Sequence, residues 1–307
     1  MYRQNPAKHP YSMNRIYSHC GISKQAHHQS LQRLQACQQQ ERVIVGLMLD
    51  IRQIHPGMGL RTMYELYQPE SVGRDAFISM GLKYGLRTKL VRNKTRTTFS
   101  SPYSRYRNLL TDKIINGIDQ VWTSDITYFD LNGQFFYIVL MMDVYSRRII
   151  GHSVADHMRA TNNLQALRMG LLTRKKTDFR NGLIHHSDRG GQYVSGDYVG
   201  LLGAANIRIS MCDQVYENAH IERANGTIKN QYLIHRQITN FDQLVKELNR
   251  AVSTYNTLRP HSALGNLTPC AFEQHIKELQ ASKRPRLTIW TCNQLNYLNP
   301  NQCFIQF

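Results

Sequence analysis

The chain has 307 residues, 41% of them apolar, and a formal net charge of +17. That apolar content builds a core and excludes wholesale disorder, while the longest apolar run, Phe135 to Met142, is far too short to span a bilayer. The six cysteines form no CxxC pair and no secretory pattern follows Met1, so a reduced intracellular protein with a polyanionic partner is expected, not a disulfide scaffold or zinc ribbon.

The charge is unevenly spread: residues 1–120 carry 18 Lys and Arg against 7 Asp and Glu. Residues 1–40 are polar and Gln-rich and read as an N-terminal helical segment. From Glu41 to Ile54 the spacing of Val43, Val45, Leu47, Met48, Ile51 and Ile54 predicts a helix, which Pro56-Gly57 breaks. A short helix over Leu60–Tyr67 and a third over Val72–Met80, capped by Ser71 and ended by Gly81, complete a helix-turn-helix-like DNA-binding region over 41–95. Lys83 to Arg107 then holds eight basic residues and no acidic one, interleaved with Tyr84, Phe99, Tyr103 and Tyr106. A solvated linker is the plain reading. A strap along a phosphate backbone is the reading favoured by the overall charge, with Arg87, Lys89, Arg92, Lys94 and Arg96 as candidate DNA contacts and 96–118 as the basic linker.

The pattern then changes to strands. Val121–Phe129, Phe135–Val144 and Arg148–Val154 read as a meander, followed by a helix over Ala160–Thr173, a strand at Leu183–His185, a helix over Ser195–Ala205, a strand at Ile207–Met211 and a long helix over Glu217–His235. Asn240 caps an amphipathic helix whose apolar face is Phe241, Leu244, Val245, Leu248, Val252, Tyr255 and Leu258, and Thr268-Pro269 starts one more. This order predicts a mixed α/β layer fold over 119–280. The tail, 281–307, reads as loose.

Three carboxylates stand out. Asp125 falls inside an apparent strand, where an unpaired carboxylate is costly; a water-facing edge position is the plain alternative. Asp188 follows Leu-Ile-His-His-Ser at the end of a short apolar strand, where ligands gather in open α/β sheets; a simple turn residue is the alternative. Glu222 shares one helical stripe with Asn218, Asn225 and Lys229, a stripe that either presents Glu and Lys to a ligand or is only a solvated face. Gly226 in mid-helix is explicable if DNA or another backbone passes close by. Converging carboxylates repel one another unless hard divalent cations sit among them, and two such ions serve in-line phosphoryl displacement.

Five motifs occur in order: Trp122-Thr-Ser-Asp125-Ile-Thr-Tyr128; Val144-Tyr-Ser-Arg147 with Gly151; His186-Ser-Asp-Arg-Gly-Gly-Gln-Tyr193; Asn218-Ala219 with Glu222 and Lys229; and Tyr255-Asn256 with Arg259-Pro-His-Ser-Ala-Leu264. The set resembles the second-reading-frame transposases of insertion-sequence family three, kin to retroviral integrases. The resemblance implies an RNase H-like integrase catalytic core, a mixed five-stranded sheet with flanking helices, preceded by an all-helical region. It implies a DDE triad of Asp125, Asp188 and Glu222 as catalytic residues and ligands of two Mg²⁺ ions, with Mn²⁺ able to substitute. It makes Lys229 a contact to terminal DNA, and gives Asn218, Asn225, Tyr193 and His186 motif positions that serve as supporting hydrogen bonds or DNA contacts. Implied partners are double-stranded DNA (element ends and target), further copies of the chain, and a first-frame product supplying other DNA-binding and zipper domains. The 33 residues between Asp188 and Glu222 are two fewer than the family's usual number, and Glu217 stands where the family usually has Asp.

The expected function is therefore metal-dependent DNA strand cleavage and strand transfer by an insertion-sequence transposase. A non-catalytic DNA-binding regulator derived from one, or a structure-specific nuclease, are the alternatives.

Overall fold

A computed structural model of the chain describes residues 11–88, 105–175, 178–179, 182–212 and 218–289. The described residues fall into two compact units. One contains those up to 88 other than 54–58; the other contains 54–58 and everything from 105 onward.

The first unit is all-helical: α1 (Met13–His19), α2 (Lys24–Ile54), α3 (Leu60–Tyr67) and α4 (Arg74–Lys83). Helix α2 begins well before the expected Glu41. Its first half has no apolar stripe, but Gln, Ala, Leu and Arg are good helix formers and neither Pro nor Gly interrupts residues 24–45. Only its second half, at Ile44, Met48 and Ile51, is buried. There it joins a core with Leu60, Met63 and Phe77, where Tyr64 meets the Phe77 ring edge-on. Helix α4 starts at Arg74 behind Gly73, not behind Ser71 as expected.

The second unit is built on a five-stranded sheet in the order β4-β3-β2-β5-β6. Strands β2 (Val121–Leu131), β3 (Gln134–Asp143) and β4 (Ile149–Ala155) form the expected antiparallel meander, while β5 (Ile184–Ser187) and β6 (Arg208–Met211) add in parallel beside β2. Side chains alternate between the two faces. On one face Phe129, Ile138, Leu140 and Met142 pack under α7 (Ala219–Thr227) and α8 (Phe241–Thr257). On the other, Trp122, Met141 and Ile150 pack under α5 (Ala160–Arg174) and α6 (Gly196–Ala204). Gly151 lets β4 press against α5, because a Cβ there would collide with the Ala166 carbonyl oxygen.

Two expectations are corrected and a third is narrowed. The long helix ends as α7 at Thr227, continues as a single π turn at Ile228–Tyr232, and closes in a 3₁₀ turn at Leu233–His235. The tail is not all loose: β7 (Leu287–Thr288) pairs antiparallel with β1 (Ile114–Ile115), a strand too short to leave a periodic signal. Gly226 has none of the described residues within 4 Å of where a Cβ would lie, so among them no passing backbone accounts for it, and the DNA alternative stays open.

A buried ion cluster ties α9 (Pro269–Glu278) to α5 and the sheet. Arg174 meets Glu273 at 2.7 and 2.8 Å and Asp119 at 2.8 Å, and Arg148 meets Glu273 at 2.7 Å. Burial alone would raise the Glu273 pKa, but its bonds to Arg174 and Arg148 hold it below the usual carboxylate value. Among the described residues no helix is long and apolar enough to cross a membrane.

Candidate active site

The geometry of the site follows from unequal strand lengths. Strand β5 is four residues long and pairs rung by rung with the first four of β2, from Val121↔Ile184 to Ser124↔Ser187. One rung further, Asp125 continues β2 and Asp188 leaves β5, so the two carboxylates stand on neighbouring parallel strands where the pairing stops. Burial changes at the same place, from fully buried at Val121–Ser124 to half-buried at Asp125–Tyr128. Beyond Ser187 the chain turns, and the Gly190 backbone N–H donates to Asp188 Oδ1 at 3.0 Å.

Helix α7 brings the third carboxylate. Asn225 Nδ2 donates to Asp125 Oδ2 at 2.9 Å, and Glu222 lies one turn earlier on the same stripe. Burial pushes the Asp125 pKa up to about 7, and the nearby charges of Asp188 and Glu222 push the same way, against hydrogen bonds from Ile126 and Asn225. Burial also raises Asp188, despite its bond from Gly190, and raises Glu222 with Asp188 adding to it. The three candidates are thus near enough to disfavour one another's charge. Among the described residues, no three His, Cys, Asp or Glu side chains are gathered tightly enough to hold a metal as they stand. The donor set itself is all hard carboxylate oxygen carrying more negative charge than its surroundings neutralise, which is the chemistry a hard divalent cation fits.

Lys229 sits on the π turn with Nζ 4.1 Å from the centre of the Tyr128 ring, and burial lowers its pKa. A single π turn inside a helix is common where a helix carries function. Tyr128 was quoted in a motif but not singled out, because cation–π contact depends on a residue a hundred positions away.

Of the two roles expected for Tyr193, His186 and Asn218, supporting hydrogen bonds or DNA contacts, their surroundings favour the first: they are 1%, 1% and 4% exposed. Tyr193 OH lies 3.1 Å from Ser124 Oγ, and His186 Nδ1 lies 2.8 Å from Ser210 Oγ with its pKa pushed down to about 4 by burial. His185, on the opposite face of β5 as alternation requires, meets Tyr198 OH at 3.0 Å. The signal for this was available: a short strand flanked by strands on both sides is buried on both faces. Asn225 is also buried, at 5%, and serves Asp125. Arg87 is exposed in the helical unit. Lys89, Arg92, Lys94 and Arg96, together with Glu217, lie outside the described residues.

Comparison with known proteins places this site in a family. Two models described as "Integrase core domain" match residues 116–216 and 206–269. A 31 kDa protein of insertion element IS600 from Shigella sonnei is 32% identical over 216 residues, 68% of this chain and 78% of that protein. The InsF transposase of insertion sequence IS3A from Escherichia coli K12 is 34% identical over 202 residues, 62% of this chain and 67% of that one. Among solved structures, the magnesium-bound HTLV-2 integrase catalytic core domain in its trimeric form aligns over 54% of this chain and 99% of that one, at 19% identity and a TM-score of 0.42. The five-stranded integrase core and the kinship with the insertion-sequence proteins together make the chain a member of the IS3-type DDE transposases, the polynucleotidyl transferases that move DNA.

Proposed function

We propose that this transposase binds the ends of its insertion sequence, cuts a strand there and joins the freed 3′-hydroxyl to a target phosphodiester. What supports the reading is the placement of Asp125 and Asp188 side by side where β5 stops pairing with β2, with α7, which carries Glu222, tied to Asp125 through the Asn225 amide. These three carboxylates are the Mg²⁺ ligands, and Mn²⁺ substitutes. Bound there, two divalent ions supply Lewis-acid stabilisation to the attacking and departing oxygens of an in-line displacement.

The chain's own residues do the positioning. The Gly190 backbone N–H and the Asn225 amide each fix one carboxylate oxygen, so that Asp188 and Asp125 present their remaining lone pairs in a defined direction. In strand transfer the 3′-oxygen forms a bond to phosphorus and loses its proton to solvent, while the bond from phosphorus to the target's 3′-oxygen breaks and that oxygen takes up a proton. Lys229, parked on Tyr128 at the edge of the cluster, and the open side of Gly226 fit a DNA end lying along α7. The helical unit over 41–95 serves as a second DNA contact through residues such as Arg87, with 96–118 as the strap and 119–280 as the core. Holding two DNA ends at once calls for at least two copies of the chain, working in the cytoplasm on double-stranded DNA.

The test is a strand-transfer assay with labelled element-end DNA and Mg²⁺ or Mn²⁺, comparing the parent chain with Asp188→Asn. Metal-dependent joined products that vanish in the variant are expected. Cleavage without joining would turn the reading to a nuclease, and tight DNA binding without product, under either metal, to a regulator.

A further inference from the structure

Asn218 occupies the N-cap of α7, a position where Asn commonly bonds the first free N–H groups of its own helix. Here the side chain makes no capping bond. Its Oδ1 instead accepts from Thr123 Oγ1, and its Nδ2 donates to the Ser124 backbone carbonyl at 3.2 Å, both on β2 and both buried. Forgoing a cap costs about 1 kcal/mol. The bonds gained reach 94 and 95 residues back along the chain, and one of them grips the peptide group that leads into Asp125.

One helical turn separates Asn218 from Glu222, and a little less separates Glu222 from Asn225, whose amide holds the Asp125 carboxylate. The two asparagines, 4% and 5% exposed, therefore fasten α7 to β2 on either side of Glu222. Glu222 itself is held by neither. Its place relative to the aspartates is therefore set by how α7 is fastened to β2.

We infer that Asn218 is a positioning residue, a latch that fixes the distance of Glu222 from Asp125 and Asp188 and so sets the affinity of the site for divalent metal. The inference rests on the reading of Glu222 as a metal ligand. Supporting residues of this kind change metal affinity by about 10- to 100-fold when removed.

The experiment measures Mn²⁺ binding to the full chain, by the metal-dependent rise of its melting temperature, for the parent, Asn218→Ser, Thr123→Val, Glu222→Gln and the double variant Asn218→Ser/Glu222→Gln. Serine is a good N-cap but too short to reach β2, so it keeps the helix start and loses the latch. Asn218→Ser is expected to raise the Mn²⁺ dissociation constant about tenfold with the metal-free melting temperature nearly kept. Thr123→Val, which removes one of the two bonds, moves it less in the same direction. In the Glu222→Gln background the serine substitution adds nothing, since a latch that acts through Glu222 has nothing left to place. Parent-like Mn²⁺ affinity in Asn218→Ser while Glu222→Gln binds weakly would overturn the latch and leave the metal site standing, as would additive effects in the double variant. Parent-like affinity in Glu222→Gln would overturn the metal-ligand reading and the latch with it. Should Asn218→Ser lose its cooperative melt, Thr123→Val alone and combined with Glu222→Gln decides by the same comparison.

Discussion

Replacing Asp125 by Asn should stabilise the metal-free protein, and the size of the effect should depend on pH. The folded-state pKa is raised from an ordinary 3.8 to about 7, with burial the largest cause. A carboxyl whose folded pKa lies above its unfolded value binds more protons in the folded state across that window. Its contribution is intact below about pH 4 and is lost as pH rises toward 7. At 1.36 kcal/mol per unit, the charged carboxylate costs the fold about 2 kcal/mol at pH 5 and about 4 kcal/mol at pH 8. Asn is isosteric, carries no charge and can still accept the Asn225 amide, so the variant escapes this penalty. Urea unfolding in a chelator at pH 5 and pH 8 measures it: the variant should gain on the parent by about 2 kcal/mol more at the higher pH. Adding Mn²⁺ at pH 8 should then raise the parent more than the variant, since only the parent keeps the full ligand set. A variant less stable than the parent at pH 8, or a difference that does not change with pH, would refute the reasoning.

Other outcomes follow from packing and charge. Glu273→Ala removes the carboxylate shared by Arg148 and Arg174, leaving Arg174 with Asp119 and Asp143, and should cost about 3–5 kcal/mol in urea unfolding; a loss below about 1 kcal/mol would mean the cluster is solvated. Gly151→Ala drives a methyl into the Ala166 carbonyl and should lower stability by about 1–3 kcal/mol, read as a fall in melting temperature. Lys229→Ala should weaken duplex binding and reduce the slope of log affinity against log salt by about one, measured by fluorescence anisotropy over a salt series; an unchanged slope would place Lys229 off the phosphates.

Where a signal is local, the sequence carried it. β-rich runs separated by short turns read correctly as the β2–β3–β4 meander, and the Asn240 cap appears as expected, its side chain accepting from the Gln243 N–H at 2.9 Å. The face of α8 is buried at Leu244, Leu248, Val252 and Tyr255, while its ends, Phe241 and Leu258, stay exposed. The first half of α2 falls in the segment read as helical, but its continuity with the helix from Glu41 was not read, because its helicity comes from propensity without an apolar stripe; β7 was missed because two residues make no period. Asp125, Asp188 and Glu222 stood out because carboxylates there contradict their local context. The supporting groups did not: Tyr193 on Ser124, His186 on Ser210 and Asn218 on Thr123 are pairings across the fold, and a polar residue in a motif looks the same in sequence whether it faces DNA or a neighbouring strand.

The contradiction between a chain of charge +17 and a pocket of uncompensated carboxylates resolves at the place where β5 stops. Had β5 continued beside β2, Asp125 would be enclosed between two strands and its charge would have no approach from solvent. Ending β5 at Ser187 leaves the lower rungs of β2 bonded only to β3, and the half-buried stretch from Asp125 to Tyr128 lies along the freed edge. Along that edge come Asp188 on its turn, Glu222 on α7 and Lys229 on the π turn, each from a different element. Part of the energetic penalty of buried carboxylates is thereby placed along this edge, where β2 is paired on one side only. A cation entering the crevice relieves the repulsion among the carboxylates and brings positive charge to the place where a DNA phosphate must react. On the proposed function, the same frustration that lowers the stability of the metal-free fold would supply the affinity for metal.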